Sequence, residues 1–338
     1  MENKPKVTIQ IPVYNNVHLL GQAIDSALSQ TYQNLEILVV DDCSTDDIDS
    51  AVTKYKDNLK FKYIRNTKNL GRVANYRNIL FNIATGDYVL NLDGDDYLID
   101  NNYISDAIDL ILKNKLDFVF ARQKVLFERD NTLVEDKINT NLFDVMDGNE
   151  LFLNFYKGVS VPHLSTLYNR NKAMDTDYYA HDLLSADMES MLKLMINNKV
   201  GYINKFVGVW RKHQENASRK VSYDELKNNA SYIENVYQYA INEGHFNENQ
   251  LKTWRLQMLK RYFVKNILRA FISKETSVND LLDHIKDYDT DVYRSIKTDK
   301  KIKLLLILGK NDFVLKFVFK HVLKMESMLK DYEEVGKN

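Results

Sequence analysis

The sequence predicts an α/β fold: a mostly parallel, Rossmann-like sheet flanked by helices, followed by a helical C-terminal region. Three observations lead there. Over the first hundred residues, short β-branched apolar runs alternate with segments of helical periodicity, the order that wraps a parallel sheet with helices on both faces. Three of these runs end in polar residues, Tyr14-Asn15, Asp41-Asp42 and Asp93 to Asp96, and open sheets of this kind bind ligands at the carboxyl ends of their strands. From about residue 222 prolines vanish, Lys, Tyr, Leu and Asn dominate, and the apolar spacing becomes helical. The expected division is a catalytic domain over 1–220 and a helical region over 221–338.

Val7 to Val13 is β-branched and apolar and reads as a buried strand. Asn15 or Asn16 can cap the next segment, where Leu19, Leu20, Ala23, Ile24, Ala27 and Leu28 recur at helical spacing. Leu35 to Val40 is a second strand. Asp46-Asp47 opens another helix, with acidic residues where the helix dipole favours them. Phe61 to Ile64 is a third strand, Val73 to Ile83 a helix, Thr85-Gly86-Asp87 a turn, and Tyr88 to Leu92 a fourth strand. Farther on, Phe206 to Trp210 reads as a strand, and Tyr232 to Ile241, Leu251 to Ile272 and Phe313 to Leu329 as helices.

Composition narrows the function. With 338 residues, 44% of them hydrophobic, the chain can bury a sizeable core. A net charge of -1 argues against a whole-protein nucleic-acid binder. Cys43 is the sole cysteine, which rules out an intrachain disulfide and a zinc site built on cysteines. The apolar run after the charged Met1 to Lys6 is too short for a signal peptide, and no run approaches the roughly 20 residues of a transmembrane helix. The protein should therefore stay in the cytoplasm, with at most peripheral contact at the inner face of the cell membrane.

The strongest chemical signal is Leu92-Asp93-Gly94-Asp95-Asp96 at the end of an apolar strand. Carboxylates this close repel one another unless a cation sits among them. Hard oxygen ligands suit Mg²⁺ or Mn²⁺, commonly shared with phosphate oxygens. Ser185-Ala186-Asp187-Met188-Glu189 opens a further helix and offers a carboxylate for proton transfer.

Five ordered blocks together resemble the family-2 glycosyltransferases. They are Ile9 to Asn15; Ala27 to Tyr32 with Glu36 to Asp46; Asn69-Leu70-Gly71 with Arg77-Asn78; Ala84 to Val89; and Leu92 to Asp96. The match is dense over residues 7–125 and thinner to about 220. The resemblance implies a GT-A fold and inversion at the anomeric carbon of a nucleotide-diphosphate sugar, with Mn²⁺ or Mg²⁺ as cofactor. It implies that Pro12, Tyr14, Asp42 and Asn69 line the base pocket, that Arg77 faces the nucleotide or its diphosphate, and that Asp93 holds the ribose side. Asp95 would coordinate the metal, together with His213 of Val209 to Arg219. Arg211, Lys212 or Arg219 would neutralise the diphosphate. Asp187 would be the general base, with Glu189 as fallback; the family usually carries Glu where this chain has Ala186. Asp41 reads as a structural cap or a support behind the site residues, Asp96 as such a support too, and His163 and His181 as acceptor-side or structural. The implied partners are a nucleotide-sugar donor and a glycan or lipid-linked glycan acceptor of bacterial surface polysaccharide synthesis, with no nucleic acid.

Two rivals remain at this level. A nucleotidyltransferase should show a Gly-rich basic loop after the first strand, and Tyr14 to His18 does not supply one. A non-catalytic scaffold need not keep Asp42, Asp93, Asp95, Asp187 and His213 together. In the C-terminal region, Lys316, Lys320 and Lys324 fall on one helical stripe, with Phe313, Val314, Phe317, Val318 and Leu323 opposite. This helix is expected to pack on protein, either the catalytic domain or a second subunit in a homo-oligomer. The alternative is an anionic membrane surface.

Overall fold

The computed structural model describes residues 4–136, 142–213, 216, 223–273, 277–308 and 312–322. The chain divides into two compact units, Met1–Val221 and Ser222–Asn338.

The first unit is built on ten strands: β1 (Val7–Val13), β2 (Leu35–Asp41), β3 (Phe61–Arg65), β4 (Tyr88–Asn91), β5 (Tyr97–Leu98), β6 (Phe118–Phe127), β7 (Thr132–Glu135), β8 (Val145–Asp147), β9 (Leu167–Asn169) and β10 (Lys199–Lys212). They form one sheet in the order β3-β2-β1-β4-β9-β6-β10-β5, with β7 on β6 and β8 on β10. The four strands predicted from the first hundred residues pair in parallel, Val7 opposite both Leu35 and Tyr88, and Ile37 opposite Phe61. β6 and β10 are also parallel. Between the two parallel sets stands β9, antiparallel to β4 and to β6.

β1 is central because both its faces can be buried. Val7, Ile9 and Ile11 are fully enclosed with Ile37 and Val39, under Leu20, Ala23, Ile24 and Ala27 of the helix Val17–Leu28 and Ile104 and Ile108 of the helix Tyr103–Asn114. The opposite face receives the helix Arg72–Asn78, from which Asn75 Nδ2 donates to the Val40 carbonyl at 3.3 Å. That helix continues through a wider turn, Ile79–Ile83, before the chain turns into β4.

The pairing runs on past the strand ends. The Asp42 amide donates to Val13 O at 2.9 Å, and the Leu92 amide to Gln10 O at 3.0 Å. The segment after β4 then crosses the end of β1 so closely that a Cβ at Gly94 would stand 3.3 Å from the Pro12 carbonyl oxygen. A side chain at Gly94 would push this crossing apart by a few tenths of an ångström.

The second unit is helical: Tyr223–Asn229, Ser231–Glu243, Glu248–Ser273, Val278–Tyr288, Thr290–Lys297, Lys300–Leu308 and Asp312–Phe317. Trp254, Phe263, Ile285 and Ile296 are buried in its core. Arg255 ties its helices together. Its Nε and Nη2 donate to both Glu234 oxygens at 2.7 and 2.6 Å, and Nη1 donates to Asp289 Oδ2 at 2.7 Å.

The last helix departs from the expected stripe. Leu315, Val318 and Phe319 are buried, whereas Phe313 is 80% and Phe317 53% exposed. The buried residues are spaced i, i+3, i+4, so the helix keeps an α-helical stripe but buries a different face from the one drawn through Phe313 and Phe317. Lys316 and Lys320 are exposed as expected. Leu323, Lys324 and Leu329 lie outside the described residues. No helix among the described residues is long and apolar enough to cross a membrane.

Because Ile9 is fully enclosed at the centre of the parallel set, Ile9→Ala should cost about 2–5 kcal/mol through lost contacts and the cavity left behind. Denaturant unfolding followed by circular dichroism measures this. A loss under about 1 kcal/mol would contradict the central placing of β1.

Candidate active site

The loops after β1, β2 and β4 meet at one end of the sheet and are laced together by side chains. Asn15, in a left-handed conformation (φ 49°), accepts through Oδ1 from the Thr45 amide at 2.7 Å. Asp41 is buried and accepts from the Ser44 amide at 2.9 Å, with Arg65 Nη1 3.2 Å from its other oxygen. That is the structural place expected of it.

Asp42 is also buried, and it organises the loop that leads into the helix Arg72–Asn78. Oδ1 accepts from Asn66 Nδ2 at 2.8 Å and from the Leu70 amide at 2.9 Å, and Oδ2 accepts from the Gly71 amide at 2.9 Å. Gly71 has φ +88°, a backbone conformation open chiefly to glycine. Pro12 sits part-exposed at the end of β1, Tyr14 is 52% exposed, and Asn69 is exposed on the loop Asp42 holds.

The carboxylate cluster follows β4. Asp93, Asp95 and Asp96 each offer an oxygen, all within 4.8 Å of one another. Burial, then Asp95, pushes the Asp93 carboxyl up to about 7; Arg72 works against this and Asp187 adds to it. Asp96 is raised in the same way by burial, then by Asp95 and Asp93. An acidic group whose ionised form is this strongly disfavoured is suited to a hard divalent cation. Among the described residues these three are the set that could hold one.

β10 supplies the counterweight. The Arg211 amide donates to Asp96 Oδ1 at 2.8 Å. Its guanidinium donates through Nε to the Asp95 carbonyl at 2.8 Å and through Nη1 to Glu128 at 3.1 Å. Nη2 donates to Gln22 Oε1 at 2.5 Å. Arg211 thus braces the cluster from beneath. His213 Nε2 lies 2.8 Å from Asp95 Oδ2, so imidazole and carboxylate converge on one point. Lys212 stacks its ammonium over Trp210 and Phe127 at 4.8 and 5.1 Å. Arg219 lies outside the described residues.

Asp187 stands in the first turn of the helix Ala186–Met195 and interacts electrostatically with Asp93 and His163. Glu189, two residues on, is buried and committed to Lys193 Nζ at 2.6 Å and His181 Nδ1 at 2.8 Å. Arg77 meets Asp177 Oδ1 at 2.6 Å and the Tyr178 carbonyl at 2.9 Å, with its guanidinium 4.2 Å over the Phe81 ring. The cation of the helix Arg72–Asn78 that acts on Asp93 is Arg72.

Beneath these groups lies a polar network that motif reading did not find. Asn91 Oδ1 accepts from Gln10 Nε2 and from Tyr168 OH. Its Nδ2 is therefore the donor to His163 Nε2 at 2.7 Å, which leaves the ring proton on Nδ1. Tyr179 OH is 2.8 Å from the same nitrogen. Burial depresses His163 to about 4, against the pull of Asp187, so the ring is neutral at pH 7. The available signal was a polar residue at an inward position of each of two buried strands, Gln10 in β1 and Asn91 in β4.

Residues 8–169 match the family model described as Glycosyl transferase family 2. Over that stretch, just under half of the chain, the protein is similar to glycosyl transferase family 2. The poly(ribitol-phosphate) beta-N-acetylglucosaminyltransferase TarP of Staphylococcus aureus is 26% identical over 225 residues, 58% of this chain and 68% of that protein. The UDP-Glc:alpha-D-GlcNAc-diphosphoundecaprenol beta-1,3-glucosyltransferase WfaP of Escherichia coli is 36% identical over 138 residues, 40% of this chain and 50% of that protein. Among solved structures, S. aureus TarS 1-349 in complex with UDP-GlcNAc superposes with a TM-score of 0.69 at 18% identity, over 97% of this chain and 92% of that one. This likeness shows that the family-2 domain has the GT-A fold. The chain spans less than two thirds of the length of most of the curated relatives it matches.

The raised Asp93 and Asp96 carboxyls imply a pH dependence for the metal-free protein. A carboxyl whose folded pKa lies above its unfolded value contributes stability that is full below the unfolded value and lost as pH rises through the folded one. With Asp93 at about 7, chelator-treated protein should melt at a lower temperature at pH 8 than at pH 5. Asp93→Asn should shrink that difference. Calorimetry at both pH values checks it, and a difference unchanged by the substitution would refute the assignment.

Proposed function

We propose that this chain is a metal-dependent inverting glycosyltransferase that moves a sugar from a nucleotide-diphosphate donor, a UDP-sugar, to an acceptor hydroxyl of a glycan or lipid-linked glycan in bacterial surface polysaccharide synthesis. One observation carries this reading: the family-2 match over residues 8–169 holds the Asp93–Asp96 cluster, and Asp187 from the helix beyond it lies near enough to act electrostatically on Asp93. Glu189, the other acidic group of that helical turn, is consumed by Lys193 and His181.

In this reading Pro12, Tyr14 and Asn69 border the base, with Asp42 fixing the loop beside it. Asp93 faces the ribose, and Asp95 with His213 holds the cation. Mg²⁺ or Mn²⁺ bound there supplies positive charge for the departing diphosphate. Asp187 takes the acceptor proton as the hydroxyl oxygen bonds to the anomeric carbon and the bond to the diphosphate breaks on the opposite face, so the configuration inverts. Arg211 steadies the Asp96 carboxylate through its amide and the Asp95 backbone carbonyl through its guanidinium. Arg77 organises the acceptor side through Asp177 and Tyr178. The named activities of TarP and WfaP, one using N-acetylglucosamine and the other UDP-Glc, support a UDP-hexose or UDP-N-acetylhexosamine donor. The place of action is the cytoplasm, at most peripherally at the membrane, and the helical unit is the site for any self-association.

Release of nucleotide diphosphate from a panel of nucleotide sugars tests the proposal. Chelator should abolish release, and Mn²⁺ or Mg²⁺ should restore it. Full activity in excess chelator would sink the metal assignment, and no release from any donor would sink the enzyme reading. Asp187→Asn should retain nucleotide binding and lose turnover on the order of 10²-fold or more. Normal turnover by Asp187→Asn alongside a dead Glu189→Gln would reassign the base.

A further inference from the structure

The helix Arg72–Asn78 touches the segment before Asp187 at three points. Arg77 binds Asp177 and the Tyr178 carbonyl. The Tyr76 ring stacks on Tyr179, with centroids 5.1 Å apart and planes 27° from parallel. Arg72 Nη2 donates to the carbonyls of Leu183 and Leu184, at 2.9 and 3.0 Å. The gripped segment is irregular: Asp177 and Tyr179 have φ of 54° and 59°, conformations that side-chain-bearing residues hold only where their surroundings enforce them.

Two features single out Arg72. The Leu183 carbonyl it grips also accepts from the Ala186 amide at 3.2 Å, so Arg72 closes on the very turn that opens the Asp187 helix. Arg72 is also the first residue after Gly71, whose amide Asp42 holds at 2.9 Å. A short covalent and hydrogen-bonded path thus runs from Asp42 through Gly71 and Arg72 to Leu183 and on to Asp187. Asp42 belongs to the donor end of the site and Asp187 to the acceptor end.

We propose that Arg72 is a positioning residue for Asp187: its guanidinium, closed on the Leu183 and Leu184 carbonyls, fixes the first turn of the Asp187 helix relative to the donor loop held by Asp42. This rests on the transferase reading given above. Proton transfer demands a base held to within a fraction of an ångström, and displacements near 1 Å can cost about 10²-fold. The planar guanidinium serves two adjacent carbonyls in a fixed geometry, which a lysine ammonium on its flexible stem does not reproduce.

Two measurements on the full chain test this. The first is steady-state release of nucleotide diphosphate by Arg72→Lys and Arg72→Gln. Both should lower kcat by about 10-fold or more while the donor KM stays within about 3-fold of the parent. Restoration of kcat by Lys, or a loss carried by donor KM, would make Arg72 a simple charge for the donor and overturn the proposal. The second is amide hydrogen exchange without substrate. Residues 183–190 should exchange at least about 10-fold faster in Arg72→Gln, with β1 and β2 unchanged. Unchanged exchange over 183–190 would also overturn it, as would acceleration spread through the sheet. Because exchange needs no turnover, an inactive parent protein would refute the transferase reading and leave this readout intact.

Discussion

Asp93, Asp95 and Asp96 crowd their oxygens within 4.8 Å of one another at the end of a buried strand, and much of the surrounding architecture answers that repulsion. Burial disfavours the charge of Asp93 and Asp96, and their acidic neighbours compound it. The compensating groups come from distant parts of the chain. Arg211 arrives on β10 and donates to the Asp96 carboxylate and the Asp95 carbonyl; His213 follows it onto the Asp95 carboxylate; Arg72 acts electrostatically on Asp93. A surface acidic turn would need none of this. The protein keeps a costly arrangement and surrounds it with donors, and strongly perturbed carboxyls of this kind cluster at functional sites.

The support continues into the core. Gln10 and Asn91 occupy inward positions of adjacent parallel strands where apolar residues would pack more cheaply. Together with Tyr168, Tyr179 and neutral His163 they form a connected polar layer under the carboxylates. Such networks sacrifice some stability for a single defined arrangement, because each member fixes the orientation of the next. Here the layer joins β1 and β4 to the segment that leads towards Asp187. The residues assigned to donor and acceptor therefore share one foundation.

The helical unit contributes differently. Its own core and the Arg255–Glu234–Asp289 cluster make it a separate compact body. Phe313 and Phe317 stand exposed beside Lys316 and Lys320. Tertiary packing chose Leu315, Val318 and Phe319 for burial, a stripe at the same helical spacing as the one through Phe313 and Phe317 but on another face, and spacing alone does not say which face is covered.

The sequence by itself determined the parallel set β3-β2-β1-β4, because continuous β-branched runs and helical spacing are local signals that a doubly covered sheet imposes. It also determined the carboxylate cluster, whose residues are adjacent in the chain, and, through resemblance, the pairing of Asp95 with His213. Only the tertiary structure decided the antiparallel insertion of β9, whose three residues carry too little periodicity to read. Only tertiary structure, too, decided which charges are committed. Asp42 turns onto its own loop, Arg77 onto Asp177, Arg211 onto Gln22 and Glu128, and Glu189 onto Lys193. The partners of those groups lie up to 189 residues away. Hydrogen-bond partnership at such separations is a property of the packed chain, and no pattern of neighbouring residues encodes it.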